Sequence, residues 1–126
     1  MFELTINGQV YEFNFGMGFM REVNKRIGRP VDGLPNVKKN VGLQWMIGSV
    51  IDGDVEELVE LLEVANKGQN PRITKAALDK YIDTECEDID KLFDDVLGFL
   101  KTANATKKTV EMLLAEVEKQ KADQAQ

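Results

Sequence analysis

A chain of 126 residues has room for one hydrophobic core but not comfortably for two, and 43% hydrophobic residues argue against wholesale disorder. A net charge of −6 disfavours a nucleic-acid binder, which needs a basic surface to displace counterions from phosphates. With no histidine and a single cysteine, Cys86, the composition excludes an internal disulfide, a zinc site built from a Cys/His cluster, and histidine-base catalysis.

Phe2-Glu-Leu-Thr-Ile6 and Gln9-Val-Tyr-Glu-Phe13 flank Asn7-Gly8, the residue pair that supplies the two positive-φ positions of a type I′ hairpin turn. A two-residue turn sets Ile6 against Gln9, Leu4 against Tyr11 and Phe2 against Phe13. Phe2, Leu4, Ile6, Tyr11 and Phe13 then share one face, and Glu3, Thr5, Val10 and Glu12 the other; Phe15 continues the apolar parity. An isolated hairpin is marginal in water, so this ribbon needs helices to lie on. Gly16-Met17-Gly18 is expected to let the chain turn sharply into the first of them.

Phe19, Met20, Val23 and Ile27 recur at helical spacing, and Gly28 with Pro30 stops that helix. Residues 28–37 read as a loop, and a second helix is expected from Lys38 to Ile51 with Val41, Trp45, Met46 and Val50 on its apolar stripe. Asp52-Gly53-Asp54 breaks it, and Asp54 with Glu57 forms an acidic capping box for a third helix. Val55, Leu58, Val59 and Leu62 are its stripe, with Gly68 at its end. Thr74 caps a fourth helix carrying Ala77, Leu78, Tyr81 and Ile82. The fifth, from Asp88 to Ala103, turns Ile89, Leu92, Phe93, Val96, Leu97 and Leu100 to one side. A sixth runs from Lys107 to Lys119.

The expected fold is therefore α+β and mostly α: an N-terminal β-hairpin on a bundle of five or six helices. One domain is expected over 1–118, with the hairpin at 2–15 and a helical body at 17–118, followed by a flexible tail at 119–126. No secretion signal opens the chain, and no apolar run reaches the roughly 20 residues of a membrane span. A soluble cytoplasmic protein without membrane contacts is the expectation.

The search for chemistry returns little. Ser49 lies inside an apolar helix without a histidine partner, and Cys86 sits beside Glu87 and Asp88, the wrong electrostatics for a reactive thiolate. There is no phosphate-binding glycine motif. The acids from Asp83 to Asp95 lack the central glycine of a calcium loop and read as helix starts and solvated faces. The expectation is a non-enzyme with no catalytic, metal or cofactor-binding residues.

Two features suit a partner. Arg21, Lys25, Arg26, Arg29, Lys38 and Lys39 form a basic stretch, whereas Asp52 to Glu63 holds six acids and no base, a segregation that steers partners or head-to-tail self-association. Val110, Leu113, Leu114 and Val117 stripe the sixth helix, which either completes the core or is offered to a groove. These four residues, with Arg21 and Lys25, are the candidate partner-binding set.

The order of residues adds a resemblance. FELTINGQVYEFNFGMGFMREVNKR, Phe2 to Arg26, is similar to the N-terminus of the tail assembly chaperones of long-tailed, non-contractile bacteriophages of Gram-positive bacteria. There an "ELTING…Y.F.FG.GF…N" hairpin and helix precede a helical body. RITKAALDKYID, Arg72 to Asp83, and the Leu/Phe-rich helix after it also resemble that family; the likeness covers most of residues 2–100 and fades in the tail. The resemblance implies a non-catalytic protein of the host bacterial cytoplasm, absent from the mature virion. It would keep the tape measure protein soluble and help recruit the major tail protein. It also implies that many members have a longer form made by ribosomal frameshifting. A small helical regulatory adaptor binding one cellular protein is the alternative from another class.

Overall fold

The computed structural model describes residues 1–27 and 41–124. Strands β1 (Phe2–Ile6) and β2 (Gln9–Phe13) form an antiparallel hairpin in the expected register, Phe2 opposite Phe13, Leu4 opposite Tyr11 and Ile6 opposite Gln9. Asn7 at φ 51° and Gly8 at φ 78° make the type I′ turn, whose twist suits the strands on either side. Six α-helices follow among the described residues: α1 (Met17–Ile27), α2 (Val41–Ile51), α3 (Val55–Ala65), α4 (Lys75–Lys80), α5 (Ile89–Thr102) and α6 (Lys107–Gln124). The architecture is α+β and mostly α.

The hairpin turns its apolar face inward. Phe2, Ile6 and Phe13 are buried, while Glu3, Thr5, Val10 and Glu12 on the other face are exposed. Phe2 packs on Phe13 and Phe15 with ring centroids 5.9 and 6.1 Å apart, and Phe15 meets Phe19 of α1 edge-on at 5.3 Å. Main-chain contacts fix the ribbon at both ends. The Asn14 N–H donates to Ala65 O (2.8 Å), and the Asn7 N–H is held by the Glu85 carboxylate (3.0 Å).

Helix α2 is the hub, packing on α1, α3, α5 and α6, with Leu43 and Ile47 fully buried. Its approach to α1 is tight, and the Leu43 N–H donates to Asn24 Oδ1 at 2.9 Å. Buried side chains from Phe2 to Val110 form one continuous cluster.

Local capping signals translate directly into structure. Asp54, Thr74 and Asp88 each accept from the main-chain N–H three residues ahead, at the starts of α3, α4 and α5. Helix α3 ends at Ala65, before Gly68, because Asn66 caps it; Gly68, at φ 81°, turns the chain afterwards.

The chain bends at Gly16 as expected, without a positive φ at Gly16 or Gly18, and Gly16 O accepts from Met20 N–H at 3.1 Å. Several other expectations need correction. Trp45 is not on a buried stripe but 60% exposed, because α2 spends its inward positions on Leu43, Met46, Ile47 and Val50. Val55 at the start of α3 is also exposed, and Leu61, Val64 and Ala65 are buried in addition to the expected stripe. The fourth helix is α-helical only to Lys80; Tyr81–Glu85 is a π-helical turn, closed by the Cys86 N–H donating to Tyr81 O at 2.8 Å. Helix α6 runs to Gln124, past the expected end at Lys119, with the side chains of 119–123 all exposed. The expected loop at 28–37, the stop signal Gly28 and Pro30, and the start of the second helix at Lys38 lie outside the described residues.

Candidate functional site

Helix α6 begins where Thr106, itself fully buried, donates its hydroxyl to Leu100 O at 2.6 Å and accepts the Val110 N–H on its carbonyl at 3.0 Å. This pins the first turn of α6 to the last turn of α5. Of the four candidates on α6, Val110 is fully buried in the core, so at this position the stripe completes the domain and the first turn of α6 belongs to it. Leu113 and Leu114 are half-buried against that core. Val117 is half-buried one turn further on, and Met112 is 43% exposed on the solvent side. The helix thus does both things that its stripe allowed. It anchors by Val110 and leaves Leu113, Leu114 and Val117 half-buried along the same stripe, while Met112 is exposed on the opposite side.

Arg21 and Lys25 are exposed on α1, and neither has an ion-pair partner among the described residues. They are not brought to the α6 strip: α1 packs on α2 and α3, whereas α6 packs on α2 and α5. Arg26, in the same basic stretch, is spoken for. It bridges Glu22 on its own helix (3.2 Å) and Glu63 on α3 (2.9 Å), with Glu60 at 3.9 Å. The network extends through Lys67 to Glu22 (2.6 Å), Arg72 to Glu63 (2.6 Å) and Lys75 to Glu60. Part of the charge segregation seen along the sequence is therefore consumed inside the fold. Arg29, Lys38 and Lys39 lie outside the described residues.

That network sets the local electrostatics. Burial alone would raise the Glu63 carboxyl, but hydrogen bonds from Arg26 and Arg72 outweigh it and hold the group below the usual carboxylate range. Hydrogen bonds from Lys67 and then Arg26 lower Glu22 likewise. Glu57 moves the other way, raised by burial and by the neighbouring charges of Asp54, Glu60 and Glu56.

No reactive constellation accompanies these surfaces. Cys86 is half-buried beside Tyr81, whose hydroxyl is pushed up by burial and by Cys86. Among the described residues no cluster of three or more Cys, Asp or Glu side chains is placed to hold a metal ion. No helix among them is long and apolar enough to cross a membrane.

Two residues that the sequence patterns did not single out belong to the surface. Phe99 is 40% exposed although its ring lies 5.0 Å from Phe2, and Met17, at the start of α1, is 48% exposed. Both border an open cavity of about 460 Å³ between the hairpin and the C-terminal end of α5. Phe99 follows Gly98 outside the main apolar stripe of α5, and the hairpin gives it a partner in Phe2.

Comparison with known proteins gives one assignment. A family model described as "Phage tail assembly chaperone protein, TAC" matches residues 3–114, which takes in the hairpin from Glu3 on, α1 to α5 and the anchored first half of α6. No curated protein and no solved structure matches the chain significantly.

Proposed function

This chain belongs to the phage tail assembly chaperone family, and we propose that within it the chain binds the tape measure protein, keeps it soluble and helps recruit the major tail protein during tail morphogenesis. The family match over 3–114 is the observation that carries the reading. The partly exposed strip on α6 supports it, since a chaperone for a long helical client needs apolar surface that is held in place but not wholly consumed by its own core.

In this reading Val110 anchors the helix, and Leu113, Leu114 and Val117 cover apolar helical surface of the client. Arg21 and Lys25 meet client carboxylates at a second contact. Many copies bound weakly along one long client gain by multivalency and remain displaceable by arriving tail subunits. The chaperone acts in the host bacterial cytoplasm, without catalysis or cofactor, and leaves before the virion is complete. The net charge of −6 adds solubility to the complex.

Co-expression tests the proposal. The tape measure protein is expected in the soluble fraction with this chain and in inclusion bodies without it. Equal solubility in both cultures refutes the client assignment.

A further inference from the structure

The two edges of the hairpin are treated differently by the fold. Ile6 and Gln9 close the type I′ turn as a hydrogen-bonded pair, so Leu4–Tyr11 and Phe2–Phe13 are bonded pairs as well. The main-chain N–H and C=O groups of Glu3 and Thr5 must then point away from β2, and those of Val10 and Glu12 away from β1. The outer edge of β2 is used: Glu12 O accepts from Asn66 Nδ2 at 2.9 Å, and the next outward N–H, of Asn14, donates to Ala65 O. On β1 the four outward groups of Glu3 and Thr5 have no hydrogen-bond partner among the described residues.

This open edge borders a seam along α5. Two cavities of about 470 and 380 Å³ lie end to end there, the first reaching Glu3 and Gly98, the second Thr5 and Lys91, with Asp95 lining both. Gly98 is exposed, and a Cβ placed on it would meet nothing within 4 Å, so the α5 wall of the seam has room. The seam is also strongly one-signed. Glu3, Glu85, Glu87, Asp88, Asp94 and Asp95 line it, and the cation among the lining residues, Lys91, is already paired with Asp95 at 3.0 Å.

We propose that the outer edge of β1 is a docking edge for an extended, basic segment of another protein, which adds as a third strand in the seam between β1 and α5. The four main-chain groups of Glu3 and Thr5 that have no partner among the described residues pair with about three residues of such a strand. Lysine or arginine side chains alternating along it reach the carboxylates of the seam. Charge selects against a second copy of this chain as the occupant, because pairing β1 with β1 would bring two acidic seams together. The proposal is independent of the α6 reading, because it concerns a different surface and its test contains no tape measure protein.

The test uses the full chain, isotope-labelled for nuclear magnetic resonance, and an acetylated, amidated hexapeptide alternating valine and lysine. Binding should shift the Glu3 and Thr5 amides and protect them from hydrogen exchange. N-methylation of alternate peptide amides should weaken binding at least tenfold, and a valine/glutamate peptide should not bind. Two variants block the seam differently: Thr5→Pro removes an outward N–H, and Gly98→Trp fills the α5 side. Each should weaken binding at least tenfold, and Gly98→Trp, at a position where a Cβ meets nothing within 4 Å, keeps the test valid if Thr5→Pro unfolds. The proposal is overturned by any of the following: no shift at Glu3 and Thr5 up to millimolar peptide, equal binding of the N-methylated or acidic peptide, binding unchanged by Gly98→Trp, or dimerisation of the free chain through β1.

Discussion

Gly42 of α2 faces the backbone of Val23 in α1 so closely that a Cβ on it would lie 2.6 Å from the Val23 carbonyl oxygen and 2.9 Å from the Asn24 Cα. These are main-chain atoms and cannot swing aside as a flexible side chain would. Gly42→Ala should therefore force the helices apart and cost about 1–3 kcal/mol. Gly48, on the same helix, provides the control, since a Cβ there meets nothing within 4 Å. Gly48→Ala should gain up to about 1 kcal/mol from helix propensity alone. Urea unfolding of the two variants checks both signs, and a Gly42→Ala protein as stable as the parent would remove the close approach from the account.

Asn66 is a second point on which distant segments meet. It is fully buried, with Nδ2 donating to Glu12 O (2.9 Å) and Pro71 O (3.2 Å), and Oδ1 accepting from Ile73 N–H (2.6 Å) and Arg72 Nη1 (3.0 Å). Asn66→Ala leaves the Ile73 N–H and two carbonyls without these partners, at about 1–3 kcal/mol for a buried group left unsatisfied. Asn66→Asp should be no better, because a carboxylate would face two carbonyl oxygens that it cannot donate to. Hydrogen exchange offers the local readout: the Ile73 amide should lose protection in Asn66→Ala, and unchanged protection there would count against the hub.

These two residues mark the limit of what the sequence makes legible. The hairpin register, the Asn7-Gly8 turn and the caps at Asp54, Thr74 and Asp88 could be read because each depends on residues within a few positions of one another. Gly42 and Asn66 act across 19 and 54 residues, in the Leu43–Asn24 bond beside the first and the Asn66–Glu12 bond of the second, and no local pattern announces them. Trp45 was misplaced for a related reason. An apolar helix surrounded by neighbours offers more hydrophobic positions than its inward side takes, so periodicity does not say which is left out. Of the candidate site, the stripe on α6 was visible, but its division into a buried Val110 and a partly exposed remainder depends on how α5 hands the chain to α6. The open edge of β1 was invisible, because an unpaired edge is a property of where the other elements are not.

Acid should weaken the fold partly through Glu63. Its carboxyl titrates below the unfolded value of about 4.3, so its contribution is complete above that pH and is lost as pH falls through the lower folded value. Glu22 acts in the same direction, while the raised Glu57 acts in the opposite one and offsets part of the loss. Glu63→Gln should lower stability at pH 6 and should lose less on going to pH 3, so the two curves converge in acid. Chemical denaturation at a series of pH values reads this, and parallel curves would show that the Arg26 and Arg72 contacts do not couple to the carboxyl's charge.

The division of α6 between anchor and surface predicts a gradient along the helix. Val110→Ala removes fully buried methyl groups and should cost about 1–3 kcal/mol. Val117→Ala alters a half-buried side chain, and a chain ending after Glu118 removes side chains that are exposed from 119 to 123; each should stay within about 0.5 kcal/mol. Leu113→Ala and Leu114→Ala should fall between them. Solubilisation of the tape measure protein then separates the two roles of the helix. Val110→Ala should lose client and stability together, whereas Val117→Ala should lose the client while unfolding at the parent's denaturant midpoint. If that variant keeps the client soluble, the outer part of the α6 stripe is not the client surface. Arg21→Ala with Lys25→Ala, whose side chains have no ion-pair partner among the described residues, then tests whether α1 is that surface instead.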